Sequence, residues 1–450
     1  MKTKGNLLLI LLLVMVTSCV STQTVRHRSS HQADTRPAVP VTRSIATPNP
    51  PILAGRSEAV KTEPVLSAQP LVSQVRRAQP GTWQAAKQQA LDSLCRLPLF
   101  ETTQLGLYVY DLTTGQPLYA VNAGHRMRPA SCQKVVTAVT ALHFLKGNYQ
   151  FRTDFRITGR VRSRILEGDL CIVGGMDPLV TESDLILAAT AIKQKIGIDS
   201  IAGNLIYDLT MREETPLGWG WCWDDDYGPL SALLVDGKDT FDQNWRQALS
   251  EVGIRLRDAI GQCGMADRMA RPVFTIRHNI DEVLEPMMKR SNNIYAECLF
   301  YQIAATTGKK GAGYKQAAQR VEELLRGIGL EPEQYQVADG SGLSLYNYAS
   351  AEMLVAMLCY AWRTQSIREH LLPCLPIAGI DGTLERRMQG TEAQGNVRAK
   401  TGTLTGIVSL AGYLTASNGH ILTFAIINQG IPSSAVGRSF QDMVCQELCR

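Results

Sequence analysis

This 450-residue sequence has no long apolar run and no closely spaced pair of zinc ligands. It also lacks the nucleophile-elbow motif of the common serine hydrolases. The nearest approach to a membrane span is the ten-residue run from Leu7 to Val16, which is too short to cross a bilayer. No Cys-x-x-Cys spacing occurs, so a zinc site is not expected. No Gly-x-Ser-x-Gly stretch occurs either, which argues against a Ser-His-Asp hydrolase.

Aromatic residues are absent from residues 20–80, which nevertheless hold eight of the twenty prolines of the chain. Such a segment buries too little apolar area to offset the entropy lost on ordering, so residues 19–81 are predicted to be a disordered linker. Lys2 and Lys4 contribute +2 to the formal charge of +5, and residues 20–80 contribute +5, which leaves −2 for residues 81–450. The basic excess therefore lies outside the folded part, and no nucleic-acid partner is expected.

The amino terminus has the pattern of an export signal. Lys2 and Lys4 precede the apolar run, and small residues follow it, so residues 1–18 are predicted to be a signal peptide. Val16-Thr-Ser-Cys19 also resembles a bacterial lipobox, in which Cys19 becomes the lipidated first residue and anchors the protein to a membrane on the periplasmic side of the envelope. The alternative is cleavage elsewhere and a soluble periplasmic protein.

Ten further cysteines lie between Cys95 and Cys449. A domain of this size does not need disulfides to hold its core together, even in an exported protein. The predicted first and last helices carry Cys95, Cys445 and Cys449, so a bridge, if present, is expected between these helices. Buried free thiols are the alternative.

Strands are predicted near both ends of the folded part, and most of the helices lie between them. The predicted helices are 82–97, 184–195, 242–252, 280–289, 293–303, 314–328 and 436–448, together with one that begins at Ser131. The predicted strands are 105–111, 116–122, 153–159, 165–173, 202–208, 397–401, 406–414 and 420–428. We therefore expect a mixed α/β (α+β) fold, in which the two termini build one antiparallel sheet beside a helical lobe.

A serine and a lysine lie three residues apart at the start of one predicted helix, in Arg128-Pro-Ala-Ser131-Cys-Gln-Lys134. Three-residue spacing places both side chains on one helical face. A serine hydroxyl is a weak nucleophile without a nearby base. A lysine whose pKa is lowered by burial can act as that base. The motif alone is weak, because Ser-x-x-Lys occurs by chance in most long sequences.

Two further motifs strengthen this interpretation. Ser291-Asn-Asn293 lies in a loop between two predicted helices, and Lys400-Thr-Gly402-Thr403 lies on the first strand of the carboxyl-terminal meander. Gly402 is a position where a ligand can approach the strand backbone closely. The order Ser-x-x-Lys, Ser-x-Asn, Lys-Thr-Gly within one exported chain is typical of the penicillin-recognising serine enzymes.

From about residue 82 onward the sequence resembles the D-alanyl-D-alanine carboxypeptidases and endopeptidases of the low-molecular-mass penicillin-binding proteins, in the subgroup with a large insertion between the first two motifs. Supporting stretches are Gly168-Asp-Leu, Asp177-Pro, Asp339-Gly-Ser-Gly-Leu-Ser and Asp381-Gly-Thr-Leu. Two departures are a methionine, Met176, where glycine is usual, and a short insertion. The resemblance implies a penicillin-binding, serine β-lactamase-like transpeptidase fold with a catalytic domain formed by residues 82–150 and 270–450 and an inserted accessory domain at 151–269.

The resemblance also implies a serine DD-peptidase that cleaves peptidoglycan stem peptides at D-Ala-D-Ala or at cross-links to a diamino acid, with β-lactams as covalent inhibitors and no cofactor or metal. Ser131 would attack the carbonyl carbon, Lys134 would take the serine proton, and the N–H groups of Ser131 and Thr403 would form the oxyanion hole. Ser291 would pass a proton to the leaving amine, and Asn293 would hold the substrate amide. A serine β-lactamase and a non-catalytic penicillin-binding sensor or scaffold are the alternatives.

The substrate-binding residues follow from the same resemblance. Lys400, Thr401 and Thr403 would receive the terminal carboxylate, while the strand that carries them and Gly402 pairs with the peptide. Asp225, within the stretch Trp221-Cys-Trp223-Asp-Asp-Asp226, would bind the free amine of the diamino acid. The alternative for that stretch is two core tryptophans beside a solvated acidic turn.

Overall fold

The computed structural model describes residues 75–222, 225, 228–257 and 260–450, so the predicted signal peptide, Cys19 and most of the predicted linker lie outside the described residues. The helices are α1 Trp83–Cys95, α2 Gln133–Leu145, α3 Glu182–Ile196, α4 Phe241–Glu251, α5 Ile280–Lys289, α6 Asn293–Ala305, α7 Tyr314–Gly327, α8 Ala351–Arg363, α9 Gln365–Cys374 and α10 Ser434–Cys449. Short 3₁₀ turns occur at Pro98–Glu101, Ala130–Cys132, Pro332–Gln334 and Gly382–Leu384.

The strands are β1 Gln104–Asp111, β2 Gln116–Val121, β3 Gln150–Ile157, β4 Arg160–Arg162, β5 Ile165–Glu167, β6 Leu170–Val173, β7 Ser200–Ile201, β8 Leu205–Asp208, β9 Arg255–Leu256, β10 Gly261–Cys263, β11 Arg271–Asn279, β12 Arg398–Leu404, β13 Ile407–Thr415 and β14 Ile421–Gln429. Five of them form the main antiparallel sheet in the order β12-β13-β14-β1-β2. The predicted sheet built from both termini is therefore present.

Both faces of the main sheet are buried. On β1, Tyr108 and Tyr110 contribute to the core that contains α2 and α8, whereas Leu107 and Val109 contribute to the core that contains α10. Because successive strand residues point to opposite faces, this alternation places helices on the two sides of the sheet. Burial on both faces also explains why β1, β13 and β14 are almost continuously apolar.

The segment between the first two motifs forms a second five-stranded sheet, β10-β8-β6-β3-β11, and a small four-stranded sheet, β4-β5-β7-β9. Its own core includes Phe155 and Trp245, whose ring centroids lie 4.7 Å apart. Strands β3 and β11 pair side by side, and the Ile280 N–H donates to the Tyr149 carbonyl at 3.0 Å beyond their ends. The chain thus enters and leaves this segment at one place.

The sequence prediction differs from the structure in several elements, and strands β4, β9, β10 and β11 were not predicted. The predicted strand at 165–173 is two strands, because the Gly168-Asp169 turn separates β5 from β6. Helices α8 and α9 were not predicted; ten of the thirteen residues of α8 are buried, so the helix lacks the one-sided apolar pattern that would announce it. Ser131 lies in a 3₁₀ turn just before α2 and not in the helix itself.

Met176 adopts a left-handed backbone with φ of 51° and is fully buried. Its N–H donates to the Ala232 carbonyl at 2.7 Å. Glycine takes this conformation at little cost, which is the physical reason for glycine at such a position. In this chain the buried methionine side chain offsets part of the strain.

All ten cysteines within the described residues are free thiols, so the suggested bridge from Cys95 to Cys445 or Cys449 is absent, and seven of the ten are buried as the alternative expected. Within the same part of the chain, no helix has the length and apolar character needed to cross a membrane.

Candidate active site

The Ser131 turn joins α2 to the edge of the main sheet. Ala130, the preceding residue, has φ of 47°, and the carbonyl of Pro129 accepts a hydrogen bond from the Ser409 hydroxyl on β13 at 2.5 Å. A left-handed non-glycine residue costs on the order of 1 kcal/mol or more, so the surrounding structure must hold the turn in place. The turn therefore presents Ser131 in a conformation that packing fixes.

Lys134 is completely buried one turn after Ser131. Its Nζ lies 3.0 Å from the Ser131 Oγ, 2.6 Å from the Asn293 Oδ1 and 2.7 Å from the Ser341 carbonyl oxygen. Burial, followed by the charge of Lys400, holds the pKa of Lys134 well below that of an ordinary lysine. The structure thus brings together Ser131, Lys134 and Asn293 from the first two motifs.

A second serine–lysine pair connects the other two motifs. Lys400, fully buried on β12, donates to the Ser291 Oγ at 2.8 Å and to the Thr401 carbonyl at 2.7 Å. Ser291 sits between α5 and α6 with φ of 59°. Burial lowers the pKa of Lys400 to about 8. A cavity of about 390 Å³ opens beside Ser291 and Asn293, lined also by Lys238, Arg290 and Tyr295.

Gly402 lets β12 lie directly against the Ser131 turn. A Cβ at this position would come within 2.2 Å of the Ser409 Oγ and 2.9 Å of both the Pro129 carbonyl oxygen and the Ser131 nitrogen. Any side chain would therefore push the strand away from the serine backbone. The sequence suggested that a ligand approaches the backbone at Gly402. In the structure the Ser131 turn also approaches it closely.

The hydroxyls of Thr401 and Thr403 each have a partner on the outer side of β12. Thr401 donates to the Thr383 Oγ1 at 2.7 Å, and the Thr403 Oγ1 accepts from the Arg438 guanidinium at 3.3 Å. Thr401 is half-buried and Thr403 is exposed, so both hydroxyls lie at the accessible edge of the cleft. These outer partners were not singled out from the sequence.

The glycine-rich loop at 339–344 forms the floor beneath Lys134. Asp339 is buried and accepts hydrogen bonds from the Gly342 and Ser344 N–H groups at 2.7 and 2.8 Å. The Trp221 indole N–H also donates to Asp339, at 2.8 Å. These bonds fix the loop that supplies the Ser341 carbonyl to Lys134.

Glu297 is a buried carboxyl group that sequence reasoning missed. Its Oε1 accepts the Gly340 and Ser341 N–H groups, both at 2.9 Å. Burial, with the charge of Asp339 as the next cause, raises the pKa of Glu297 well above its usual range. Glu297 lies four residues after Asn293 on α6, so the shared helical face was the signal available in the sequence.

Asp225 lies in a short turn closed by hydrogen bonds with Cys222. Its Oδ2 accepts the Cys222 N–H at 2.7 Å, and its own N–H donates to the Cys222 carbonyl at 3.2 Å. Trp221 is buried and bonded to Asp339, as the alternative of a core tryptophan expected. Trp223 and the neighbouring Asp224 and Asp226 lie outside the described residues.

The sequence profile of the D-Ala-D-Ala carboxypeptidase 3 (S13) family matches residues 87–238 and 229–448, which cover more than half of the chain. The chain belongs to this family. It is therefore a serine-type D-Ala-D-Ala carboxypeptidase, and the family and enzyme class predicted from the three motifs are confirmed.

Individual relatives agree with this family assignment. The D-alanyl-D-alanine carboxypeptidase of Actinomadura sp. strain R39 is 27% identical over 455 residues, which cover 80% of this chain and 83% of the relative. The crystal structure of penicillin binding protein 4 (dacB) from Haemophilus influenzae matches with a TM-score of 0.71 and 23% identity over 80% of this chain and 98% of that one. A complex of the same Haemophilus protein with a β-lactam matches with a TM-score of 0.66, again at 23% identity over 80% and 98% of the two chains. This structural likeness confirms the predicted fold.

Proposed function

We propose that this S13 carboxypeptidase cleaves peptidoglycan stem peptides through an acyl-enzyme on Ser131, with β-lactams as covalent inhibitors. The observation that carries the proposal is the buried Nζ of Lys134, 3.0 Å from the Ser131 Oγ. A lysine whose pKa is lowered by burial is able to accept the serine proton at neutral pH.

The three neighbours of the Lys134 Nζ match the hydrogen-bonding capacity of a neutral amine. A neutral amine has two N–H donors and one lone pair. Asn293 Oδ1 and the Ser341 carbonyl are acceptors only, so they take the two donors. The lone pair is then left for the Ser131 hydroxyl, which is the geometry that a general base needs.

The next step is attack of Ser131 on the carbonyl carbon of the penultimate D-alanine. We assign the oxyanion hole to the N–H groups of Ser131 and Thr403, because Gly402 allows β12 to pass close to the Ser131 nitrogen. Losing one oxyanion donor typically costs about 10²–10³ in rate. Ser291, bonded to Lys400, passes a proton to the leaving amine, and Asn293 also holds the substrate amide.

The other end of the substrate is a terminal carboxylate, which we assign to Lys400, Thr401 and Thr403. A pKa of about 8 leaves most of the Lys400 population protonated at neutral pH, so its positive charge is available to attract an anion. The peptide would pair with β12 as an added strand. Water then hydrolyses the ester on Ser131, releasing the shortened peptide and regenerating the hydroxyl.

The same chemistry applies to cross-links in which a D-amino-acid centre of a diamino acid replaces the terminal D-alanine. We propose that Asp225 binds the free amine of such a diamino acid. Its partly exposed carboxylate in a tight turn is compatible with a cationic ligand. Carboxypeptidase and endopeptidase activities would then share one acylation step.

We further propose that the enzyme acts on the periplasmic side of the cell envelope. The proposal rests on the predicted signal peptide at residues 1–18, on Cys19 as the lipid acceptor and on a linker that lets the catalytic part reach the wall. Metabolic labelling with a fatty acid tests the anchor: the label should depend on Cys19, and label that survives Cys19→Ala would contradict it.

The experiment that tests the acyl-enzyme uses labelled penicillin and purified muropeptides with the wild type and Ser131→Ala. Wild type should take up one covalent label and release terminal D-alanine or split dimeric muropeptides, whereas the variant should do neither. An absent label, or equal label on both proteins, would contradict the mechanism. Rapid regeneration of free enzyme after penicillin would indicate a β-lactamase, and a stable label without any turnover of muropeptides would indicate a scaffold.

Asp225 is tested separately, through substrate preference. Asp225→Ala should lower kcat/KM for peptides with a free side-chain amine more than for the same peptides acetylated on that amine. An unchanged preference would remove Asp225 from the substrate site.

A further inference from the structure

The loop at residues 376–384 lies beside the start of β12 and has no part in the mechanism described so far. Its backbone pairs with the start of β12, since the Ala378 N–H donates to the Val397 carbonyl at 2.9 Å and the Ala399 N–H donates to the Pro376 carbonyl at 3.0 Å. The loop ends in the 3₁₀ turn Gly382–Leu384. This turn carries the Thr383 hydroxyl to within 2.7 Å of the Thr401 Oγ1.

An ion pair between a buried lysine and a partly exposed aspartate fixes the loop to the Ser291 side of the cleft. The Lys289 Nζ lies 2.6 Å from the Asp381 Oδ2 and 2.7 Å from the Leu375 carbonyl oxygen. The other carboxylate oxygen of Asp381 accepts the Ile377 N–H at 2.8 Å. Lys289 is only 9% exposed, and the two hydrogen bonds of its Nζ hold it in a defined position, while the Asp381 side chain is 37% exposed.

Close backbone packing adds to this attachment. A Cβ on Gly382, whose φ is 57°, would lie 2.7 Å from the Lys289 carbonyl oxygen. Lys289 is the last residue of α5 and comes two positions before Ser291. The loop therefore rests on the segment that leads into the second motif, while its Thr383 hydroxyl contacts the third.

We propose that Thr383, held in place by Asp381 and Lys289, is a positioning residue that orients the Thr401 hydroxyl toward the terminal carboxylate of the substrate. This inference rests on the proposed function. Each threonine hydroxyl has one donor hydrogen and can accept as well, so the pair can reverse its direction. When a carboxylate binds, Thr383 donates to Thr401, and the Thr401 hydrogen turns to the anion.

The test compares Thr383→Val, which keeps the shape but lacks the hydroxyl, with Thr383→Ser, which keeps the hydroxyl. Two peptides are used, one ending in D-Ala-D-Ala and the other ending in its carboxamide. Thr383→Val should raise KM for the acid about three- to tenfold, as expected for one lost hydrogen bond, with kcat nearly unchanged. The KM for the amide should move less than twofold, and Thr383→Ser should restore the KM for the acid.

Asp381→Asn should change the KM for the acid in the same direction, because it weakens the attachment to Lys289. Thr405 is an exposed threonine in the turn after β12. Thr405→Val is therefore the matched control and should leave the KM for both peptides unchanged. Equal changes for acid and amide, or no change in Thr383→Val, would overturn the proposal.

Binding of the same two peptides to proteins that also carry Ser131→Ala separates this inference from the proposed function. A preference for the acid that Thr383→Val lowers about three- to tenfold supports the positioning role even if the wild type shows no turnover. A wild type that releases D-alanine while Thr383→Val keeps its full preference for the acid refutes the positioning role alone.

Discussion

Two serine–lysine pairs face the same cleft, and they differ in how the chain brings them together and in what surrounds them. Ser131 and Lys134 are three residues apart and joined by one turn of the backbone, whereas Ser291 and Lys400 come from a loop and a strand 109 residues apart. Both lysines are completely buried. The pKa of Lys134 falls well below the ordinary value, while that of Lys400 falls to about 8.

The difference agrees with the proposed roles of Lys134 as the base and of Lys400 as the cation in one cleft. Two buried ammonium groups repel each other, which favours the loss of one proton. The group with the lower pKa loses its proton first. That group is Lys134, which sits beside Ser131, the proposed nucleophile. Lys400 keeps its proton for longer and retains a positive charge beside Thr401, where an anionic substrate end is proposed to bind.

The largest expected effect comes from replacing Lys134, the proposed base, with a residue that is always charged. Lys134→Arg should lower the rate of acylation by penicillin by about 10³ or more, because a guanidinium stays protonated at all working pH values. Stopped-flow or gel measurement of labelled-penicillin uptake checks this. Lys87→Arg, a swap at a nearly buried lysine paired with Glu447, is the control and should react normally. Acylation within tenfold of wild type in Lys134→Arg would show that Lys134 is not the base.

A smaller effect is expected from separating β12 from the Ser131 turn. Gly402→Ala places a methyl group 2.9 Å from the Ser131 nitrogen, so it should slow acylation about 10- to 100-fold by disturbing the oxyanion site. Gly327→Ala, where nothing lies within 4 Å of the added methyl, is the control for the substitution itself. Normal acylation in a folded Gly402→Ala protein would show that β12 does not contribute to the oxyanion site.

The pH dependence of acylation tests the link between the two lysines. Lys400 lowers the pKa of Lys134, so removing its charge should raise that pKa and move the rising limb of the pH–rate profile to higher pH. Lys400→Met is expected to show this shift in midpoint in addition to a lower overall rate. Arg438→Met, which removes an exposed cation near Thr403, should leave the midpoint in place. An unchanged midpoint in Lys400→Met would show that the charge of Lys400 does not lower the pKa of Lys134.

Glu297 gives the smallest expected effect, because burial raises its pKa well above its usual range and so favours the uncharged form. Glu297→Gln retains the carbonyl oxygen that accepts the Gly340 and Ser341 N–H groups, so activity and the free energy of unfolding should stay within about 0.5 kcal/mol of wild type. Glu297→Leu leaves two buried donors without a partner and should destabilise the protein by about 2–3 kcal/mol. Thermal unfolding and penicillin uptake are the measurements, and a tenfold loss of acylation in Glu297→Gln would show that a charge is required there.

Local spacing was enough to predict the first serine–lysine pair, the strands β12 to β14 and the sheet shared by both termini. Each of these depends on residues close in sequence or on a repeated alternation. Ser291 and Lys400 were each assigned to the site through motif order, but their pairing was not predicted, since no local pattern places Ser291 beside Lys400. The partners of Lys134 at Asn293 and Ser341 join segments that are 159 and 207 residues away, and such contacts follow from tertiary packing alone.

The same reason explains the features that were missed. Helix α8 is buried on nearly all sides, so its composition does not distinguish a helix from a buried strand. No local pattern predicts the contact of Glu297 with the loop backbone at Gly340 or that of Thr383 with the Thr401 hydroxyl, because folding brings these partners together.

The central claim is that Lys134 is uncharged at neutral pH beside Ser131. Protein labelled with ¹³C at lysine Cε, with the Lys134 signal assigned by its absence in Lys134→Arg, measures this state directly by NMR titration. We expect the Lys134 signal to have the chemical shift of a neutral amine at pH 7 and to change only at lower pH. A Lys134 signal that stays that of an ammonium group up to about pH 10, as for an ordinary lysine, would contradict the account.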